Sequence, residues 1–508
     1  MVAKGSVRAI AVSFLFALFL TTFATPSYSA DQCACGPKRV LLVLADFPDY
    51  LHISSHGDIS DVFFNRVARY FYEISYGKVV VTGNATDWIT LPKLSSQYGI
   101  GGGTGVLNVA TDAFNAASKS FNFTAYDVVF LVLSFYPSLT GDYIQSNANP
   151  IATGSGVVRG FAVVEEDRDW TAYAHAFSLS LGLWRYQTEV SGLQALDLAA
   201  GGTGDISSWS KFMMGWVNRS QILTVDVPGS RIFTLAPLEN PGTNPMALQL
   251  NLGRAAGEYW VEVREDIGYD RSSLPDYGAF VYYISPTNSS IQYKKTLQPE
   301  IISEAVFIDP SFDLAIIALN VTQGGMYQLF VGDEQDGRNA QITIYAIDRA
   351  QAAITEAETE NRFEGLDLAQ SLLSKAQGLL ALGSFTDANA LAVSAETTAN
   401  DATVPPDYSQ AAQLLLTAES LRNDTANQNS ANGGLLQQAD MQLDSAMNAF
   451  QARDFAAAAE DAQSAISLYN QVKQMQLLDT VFSLLGNLAL LVPVLVLAFA
   501  LRYQLKRS

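Results

Sequence analysis

The chain has 508 residues, of which 49% are hydrophobic and 11% aromatic, so it can form several folded domains and is not largely disordered. It carries 30 Lys and Arg against 50 Asp and Glu, a formal net charge of −20. Because nucleic-acid phosphates are bound by clustered Lys and Arg, this balance argues against a nucleic-acid partner and predicts an acidic exterior.

The N-terminus has the pattern of a secretory signal peptide over residues 1–30. Basic residues precede a long apolar run, and the small residues at positions 27–30 suit a cleavage site. We therefore expect the mature chain to begin near Asp31 and to be exported.

Two sets of residues are candidates for covalent modification in an exported protein. Cys33 and Cys35 are the only cysteines, too few for a disulfide framework, which leaves a local disulfide, an intermolecular link or a metal site. Glycosylation sequons of the type Asn-x-Ser/Thr occur at Asn84, Asn122, Asn218, Asn288, Asn320 and Asn423.

Residues 31–220 mix strand and helix patterns, as in an α+β domain. Apolar runs predict strands at residues 40–44, 79–81 and 126–135, and 3.6-residue periodicity predicts helices at 62–74 and 170–183. The glycine-rich residues 99–105 lack the Gly-Lys-Ser/Thr ending of a phosphate-binding loop, so a flexible loop is expected there.

Residues 221–348 change to short strands separated by Pro, Gly, Asn and Asp. Strands are predicted at residues 231–235, 247–252, 259–264, 279–284, 314–319 and 341–345. This spacing predicts a β-sandwich-like domain.

Residues 349–477 are rich in Ala, Leu, Gln and Ser and contain an internal repeat. Residues 380–395 match residues 450–465, with Phe385 equivalent to Phe455 and alanines at helical spacing after each. Small residues at that spacing let helices approach closely, which predicts helical hairpins similar to tetratricopeptide repeats. The region is expected to be a stalk that lifts the head from the membrane, a docking surface for a protein, or both.

The C-terminal segment predicts one membrane-spanning helix at residues 478–501. Residues 481–501 are apolar except for Ser483 and Asn487, and basic residues follow within the tail at 502–508. By the positive-inside rule the tail is expected to be cytoplasmic and the rest of the chain extracellular, as in a single-span cell-surface protein.

The segment that begins at His175 reads HAFSLSLGLWR. In zinc peptidases with the pattern His-Glu-x-x-His, the two His lie one helical turn apart and bind one zinc, and the Glu polarises the zinc-bound water. On that pattern His175 occupies the first ligand position, Ala176 replaces the base, and Leu179 replaces the second His. Gly182 keeps the glycine turn, and Arg185 stands where many relatives place a third ligand.

Further segments flank this helix in a characteristic order. They are residues 39–49 (ending DFPD), 72–78 (ending SYGK), 88–92 (WITLP), 197–198 (DL), 206–216 (ISSWSKFMMGW) and 259–270 (YWVEVREDIGYD). In this order they resemble the immune inhibitor A family of secreted zinc metallopeptidases, over residues 38–290. The resemblance implies a zincin-like domain in an α+β fold, followed here by the sandwich-like domain, the helical stalk and the transmembrane helix.

Compared with that family, the zinc site of this chain is degenerate. The Met that follows Asp-Leu under the metal is replaced by Ala199, and a zinc site usually needs three or four ligands. His175 is the only His in the helix, and His52 and His56 are expected to be solvated loop residues. We therefore expect neither a catalytic residue nor a bound cofactor, although zinc would be implied if an unorthodox site were active.

The vacant metal position is expected to be filled by a cation of the protein itself. We expect the Arg185 guanidinium to pair with Asp197 or with the acidic run at residues 165–167, since its planar fork suits a carboxylate.

Three functions are compatible with this sequence. The first is a catalytically silent, membrane-anchored peptidase homologue that binds a peptide or a cell-surface protein. The second is an active metal-dependent endopeptidase, and the third is a purely structural component of the cell envelope.

Overall fold

We describe the fold from a computed structural model of the chain. The structure describes residues 33–99, 103–135, 143–145, 150–183, 198, 202–227, 229–253, 255–271, 273–274, 276–287, 290–426 and 433–505. The predicted signal peptide, Arg185, Asp197 and Asn288 therefore lie outside the described residues. The chain is 49% helical and 23% strand, and it divides into two compact units, residues 1–341 with 381–383, and residues 342–380 with 384–508.

The first unit begins with a mixed sheet and its helices. Its strands are β1 (Gly36–Asp46), β2 (Val79–Ala85), β3 (Ile89–Thr90), β4 (Val128–Leu133), β5 (Tyr143–Gln145) and β8 (Phe161–Glu165). Strands β6 (Ile151–Thr153) and β7 (Gly156–Val158) pair with each other in a separate two-stranded sheet. The helices are α1 (His56–Asp61), which continues through a π-helical segment (Val62–Val67) into α2 (Ala68–Ile74), then α3 (Gly103–Ala117) and α4 (Trp170–Ser180).

The strand order of this sheet is β2-β1-β4-β8-β5, with β3 also paired to β1. All these pairs are parallel except the last, in which β5 runs antiparallel to β8. The interior strand β1 is buried from Val40 to Ala45, as its continuous apolar run requires. Apolar side chains of the sheet alternate between two cores, one against α1, α2 and α4 and the other against α3.

The glycine-rich segment differs from its prediction as a flexible loop through residue 105. Helix α3 already begins at Gly103. Val106, Val109 and Ala110 are buried against the sheet, and this tertiary packing outweighs the low helix propensity of the glycines.

The second part of the first unit holds short helix α5 (Ser208–Met213) and two sheets. The strands are β9 (Ile222–Asp226), β10 (Arg231–Leu235), β11 (Ala247–Asn251), β12 (Glu258–Arg264), β13 (Gly278–Ile284), β14 (Ile291–Leu297), β15 (Val306–Asp309), β16 (Leu314–Val321) and β17 (Tyr327–Gly332). One sheet has the order β14-β13-β12-β11-β9 and the other β10-β17-β16-β15. Leu248, Val261 and Val281 of the first share a core with Ile316 and Val331 of the second, so the two sheets pack face to face.

The strand predicted at residues 341–345 is wrong, because these residues lie inside a helix. Helix α6 (Glu334–Thr359) carries Ile344 on its buried side and leaves Ile342 57% exposed. The Thr343 hydroxyl donates to the Phe385 carbonyl at 2.8 Å. The alternation of β-branched residues favours a strand locally, but packing on the next helices decides the conformation.

The second unit is helical throughout its described residues. Most of α6 belongs to it, with α7 (Leu366–Ala381), α8 (Phe385–Asn400), α9 (Tyr408–Ala426), α10 (Gly433–Gln451) and α11 (Phe455–Leu505). Helices α8 and α11 begin at Phe385 and Phe455, the two equivalent positions of the sequence repeat, and both Phe side chains are buried. The repeated alanines after each Phe are fully buried, as close helix packing requires: Ala388, Ala392, Ala395, Ala458, Ala462 and Ala465.

Helix α11 continues far beyond this packing. Its last fully buried side chain is Val472, and from Leu477 onward every residue whose burial is described is exposed. The helix is long and apolar enough to cross a membrane, with a mean hydropathy of 2.4 in its most apolar window, and it is the one such helix among the described residues.

Enlarging a repeated alanine should destabilise the helical unit. We expect Ala392→Leu to lower the free energy of unfolding by about 1–3 kcal/mol, because the new side chain has no space between the helices. The measurement is urea unfolding followed by far-UV circular dichroism. Ala390→Leu, at an exposed position of the same helix, is the matched control and should change stability little. Equal effects of the two substitutions would contradict the close packing.

Candidate functional site

Helix α4 carries the residues that align with the zinc-peptidase pattern. Asp169 caps its N-terminus, where its carboxylate accepts hydrogen bonds from the Thr171 and Ala172 amides at 3.0 and 3.3 Å. His175 and Leu179, four residues apart, are both partly exposed and lie on the same side of the helix. The helix ends before Gly182, whose φ of +106° is a conformation that favours glycine.

Ala176, which aligns with the base of the zinc-peptidase pattern, is buried. Ala176 has no exposed surface and belongs to the apolar core that also contains Phe63, Phe71 and Phe177. A carboxylate at this position would lie against that core, where an unpaired charge is strongly disfavoured. Both the residue and its surroundings therefore differ from those of a water-polarising base.

The donor set around α4 does not fit zinc among the described residues. No group of three or more His, Cys, Asp or Glu side chains in that part of the chain is arranged to hold a metal ion. Leu198, in the aligned Asp-Leu turn, is described and fully buried, whereas its neighbour Asp197 is not described.

The acidic run at residues 165–167 has partners of its own. Glu165 lies 3.5 Å from Arg168, and Glu166 accepts hydrogen bonds from the backbone amides of Ile53 and Ser54 at 2.6–3.1 Å. The expected pairing of Arg185 falls outside the described residues and stays a prediction.

A second cluster lies at the carboxyl ends of the parallel strands β1 and β2. His52 Nδ1 lies 2.7 Å from Asp46 Oδ2, and the His52 ring stacks on Trp88 with centroids 4.6 Å apart. Asp46 is buried, and its second oxygen, Oδ1, has no hydrogen-bond partner within the described chain. His52 is exposed and lies in a loop, as expected, but strand order also brings Asp46 and Trp88 next to it.

His56 lies in a different environment from His52. His56 is exposed and is the first residue of α1, whose N-terminus is capped by Ser55. It is thus solvated, as expected, but helical rather than part of a loop.

The loop that carries His52 is held in a fixed conformation with apolar side chains outward. Glu166 binds its backbone, and the Tyr50 ring stacks on Phe135 at 4.0 Å. Leu51 and Ile53 are 64% and 93% exposed. A rigid loop that exposes large apolar side chains is typical of a binding surface rather than of a core.

A third cluster is a buried network of charged side chains. It joins three of the segments that carry the family resemblance, at residues 72–78, 206–216 and 259–270. Lys211 Nζ lies 2.6 Å from Asp205 Oδ2 and donates to the Tyr76 hydroxyl at 3.0 Å. Arg264 pairs with Glu262 at 2.6 Å and with Asp270 at 3.3 Å. All five charged residues are almost completely buried.

Burial and neighbouring charges shift the pKa values of several side chains in and beside this network. Burial raises the pKa of Asp205 to about 6, although Lys211 opposes the shift. Burial would lower the pKa of Lys211, but Asp205 and Tyr76 outweigh it and hold the pKa above its usual range. Burial, with the Asp270 carboxylate nearby, raises the pKa of Glu239 to about 10. Glu239 is therefore a neutral acid at pH 7.

The candidate modification sites differ in accessibility. The structure joins Cys33 and Cys35 in a disulfide, and Cys33 Sγ lies 3.3 Å from the Gly215 carbonyl oxygen. Exposed sequon residues are Asn84, Asn122, Asn218 and Asn423. Asn320 is partly buried, and its Oδ1 is enclosed without a partner in the described chain, which makes it a poor acceptor for a glycan.

Sequence reasoning missed the Asp46–His52–Trp88 cluster and the buried network. The available signal for the network was the presence of charged residues within otherwise apolar segments, such as Glu262 and Arg264 in a strand pattern. No protein-family model matches this chain, and no curated protein matches it.

Replacing Glu239 by Gln should flatten the dependence of stability on pH. Below about pH 4.5 the carboxyl is protonated in both states. Above it the unfolded chain releases the proton while the native protein keeps it, up to about pH 10. The native state then binds more protons, so the free energy of unfolding falls by up to about 1.4 kcal/mol per pH unit in this window. Glu239→Gln removes that loss.

The measurement is urea unfolding at several pH values between about 5 and 9. Glu300→Gln, at an exposed position, is the control and should keep the wild-type slope. The titration of Asp205 is common to all three proteins. Parallel curves for wild type and Glu239→Gln would show that Glu239 is ionised in the native protein.

Proposed function

We propose that this chain is a membrane-anchored, extracellular homologue of the immune inhibitor A-like metallopeptidases that has lost catalysis and binds a peptide or a surface protein. The observation that carries the proposal is the geometry of α4. Its partly exposed side presents His175 and Leu179 at the two ligand positions, while Ala176 is enclosed in the core.

Both the base and the second metal ligand are replaced in this helix. Loss of a general base alone typically costs about 10²- to 10⁴-fold in rate. Loss of a ligand weakens the metal that would activate water. The donor set among the described residues offers no substitute for either group. Catalysis by the pattern of the family is therefore disfavoured.

Binding is supported by two features near α4. The loop at residues 50–54 exposes Leu51 and Ile53 from a backbone fixed by Glu166. Among the described residues, strand β5 pairs on one side only, with β8, and an edge strand of this kind suits pairing with an extended peptide. An apolar loop and an edge strand both suit a peptide segment with apolar side chains.

The loss of catalysis predicts that the purified full chain in detergent carries no stoichiometric zinc and does not hydrolyse casein. The physical reason is that His175 alone cannot form a zinc site. Elemental analysis and a proteolysis assay with added zinc are the measurements. His175→Ala is the matched variant and should behave like the wild type.

A single zinc per chain, lost in His175→Ala together with chelator-sensitive proteolysis, would establish the active endopeptidase instead. A protein without zinc that also retains no peptide from a random library would support the purely structural role.

The anchor predicts a single crossing with the C-terminus inside the cell. The apolar part of α11 is followed by Arg502, Lys506 and Arg507, which favour the cytoplasmic side. Protease added to intact cells should remove the head and spare a tag placed after Ser508, and permeabilised cells are the control. Cleavage of the tag from outside would reverse the topology.

A further inference from the structure

Helix α11 carries a polar stripe where its packing inside the chain ends. Gln476, Thr480, Ser483 and Asn487 follow one another at spacings of four, three and four residues. This is the spacing of the a and d positions of a heptad repeat, so the four positions share one side of the helix. The same register continues through apolar positions at Leu490, Val494, Leu497 and Leu501.

The rest of the helix at this level is apolar. Leu477, Phe482 and Leu484 lie off the stripe and are 67%, 67% and 59% exposed. Apart from Asp479 at the start of the span and Gly486, the other positions between 477 and 486 are Val, Leu or Phe. Polarity is therefore concentrated on one side, whereas a helix surrounded only by lipid gains nothing from such a stripe.

The stripe begins directly beyond the contacts of the helical unit. Tyr469 and Val472 are fully buried against the hairpin, and Lys473 pairs with Asp424 of α9 at 3.1 Å. Gln476, one turn later, has a buried Nε2 without a hydrogen-bond partner in the described chain. Thr480 and Ser483 are exposed. Within the helix, the Thr480 hydroxyl donates to the Gln476 carbonyl at 2.8 Å. Among the described residues, no hydrogen bond joins the side chains of Gln476, Thr480 and Ser483 to another helix.

Polar side chains inside a bilayer are stabilised by hydrogen bonds to another helix, because lipid offers none. The structure has one helix able to span a membrane among its described residues. We take the neighbour to be a helix of another molecule. An amide donates and accepts, as do the hydroxyls of Ser and Thr. Two copies of the same stripe, parallel and at the same depth, are therefore complementary to each other.

We propose that a second copy of this chain packs along Gln476, Thr480, Ser483 and Asn487 to form a parallel dimer of transmembrane helices. The a and d spacing gives a left-handed crossing, with polar contacts in the extracellular half and Leu and Val contacts in the cytoplasmic half. The proposal rests on the membrane anchor of the proposed function. Because α11 is continuous from Phe455, the dimer also holds two helical units side by side.

The first test is cysteine cross-linking of the full chain in native membranes, in a Cys33→Ser, Cys35→Ser background. Ser483→Cys lies on the stripe and should give a disulfide-linked dimer on oxidation. Leu485→Cys, two residues on and therefore on the opposite side of the helix, is the matched control and should stay monomeric.

The second test measures association of fluorescently labelled full chain in lipid bicelles by energy transfer. Asn487→Leu should weaken dimerisation about threefold to tenfold, as expected for one interhelical hydrogen-bonding pair, while Asn487→Gln should retain it. Efficient cross-linking at both Ser483→Cys and Leu485→Cys, or unchanged association of Asn487→Leu, overturns the dimer.

Alkaline carbonate extraction separates failure of the dimer from failure of the anchor. A chain that stays in the membrane pellet but does not cross-link at Ser483→Cys is an anchored monomer surrounded by lipid, and the dimer is overturned alone. A chain released into the supernatant is not membrane-spanning, and both proposals fall together.

Discussion

Two fully buried cations, Lys211 and Arg264, connect the mixed sheet of the first unit to its β-sandwich. Lys211 reaches from α5 to Tyr76 beyond α2, and Arg264 reaches from β12 to the Asp205 carbonyl at 2.9 Å. Each cation removed from water needs acceptors at close range, so the positions of Asp205, Glu262 and Asp270 are tightly constrained. The network therefore fixes α5, and through the Ser208 amide bound by Glu262, the start of that helix as well.

This constraint explains why charged residues occur inside apolar segments of the sequence. In a strand such as β12, Glu262 and Arg264 would be expected on a solvated face, yet both are enclosed. Removing one partner leaves a buried charge without compensation, which is far more costly than removing the pair. The neutral Glu239 relieves part of the excess negative charge by keeping its proton.

Contacts within the protein hold helix α4 in place, whether or not it binds a metal. The helix is capped by Asp169, packed through Tyr173 and Phe177, and ended before Gly182, so its local structure is fully specified without a metal. In the proposed function, such a helix keeps its place in the fold without metal ligands, and the apolar loop at residues 50–54 and the edge strand β5 serve binding.

The sequence by itself determined the elements whose signal is local. The apolar run of β1, the sandwich strands β10, β11, β12, β13 and β16, the Phe and Ala repeat of α8 and α11, and the apolar C-terminal helix were predicted, because each depends on the pattern of a few neighbouring residues. The alignment of His175 also came from local spacing, although its meaning for function stays a proposal.

Only the tertiary structure decided which distant residues meet. Residues 341–345 became helical because α6 packs on its neighbours, and Tyr76 meets Lys211 across 135 residues of chain. His52 gained Asp46 and Trp88 as partners through the pairing of β1 with β3. Strand order and helix packing set these contacts, and a one-dimensional pattern of polarity does not encode them uniquely, since many pairings satisfy the same periodicity.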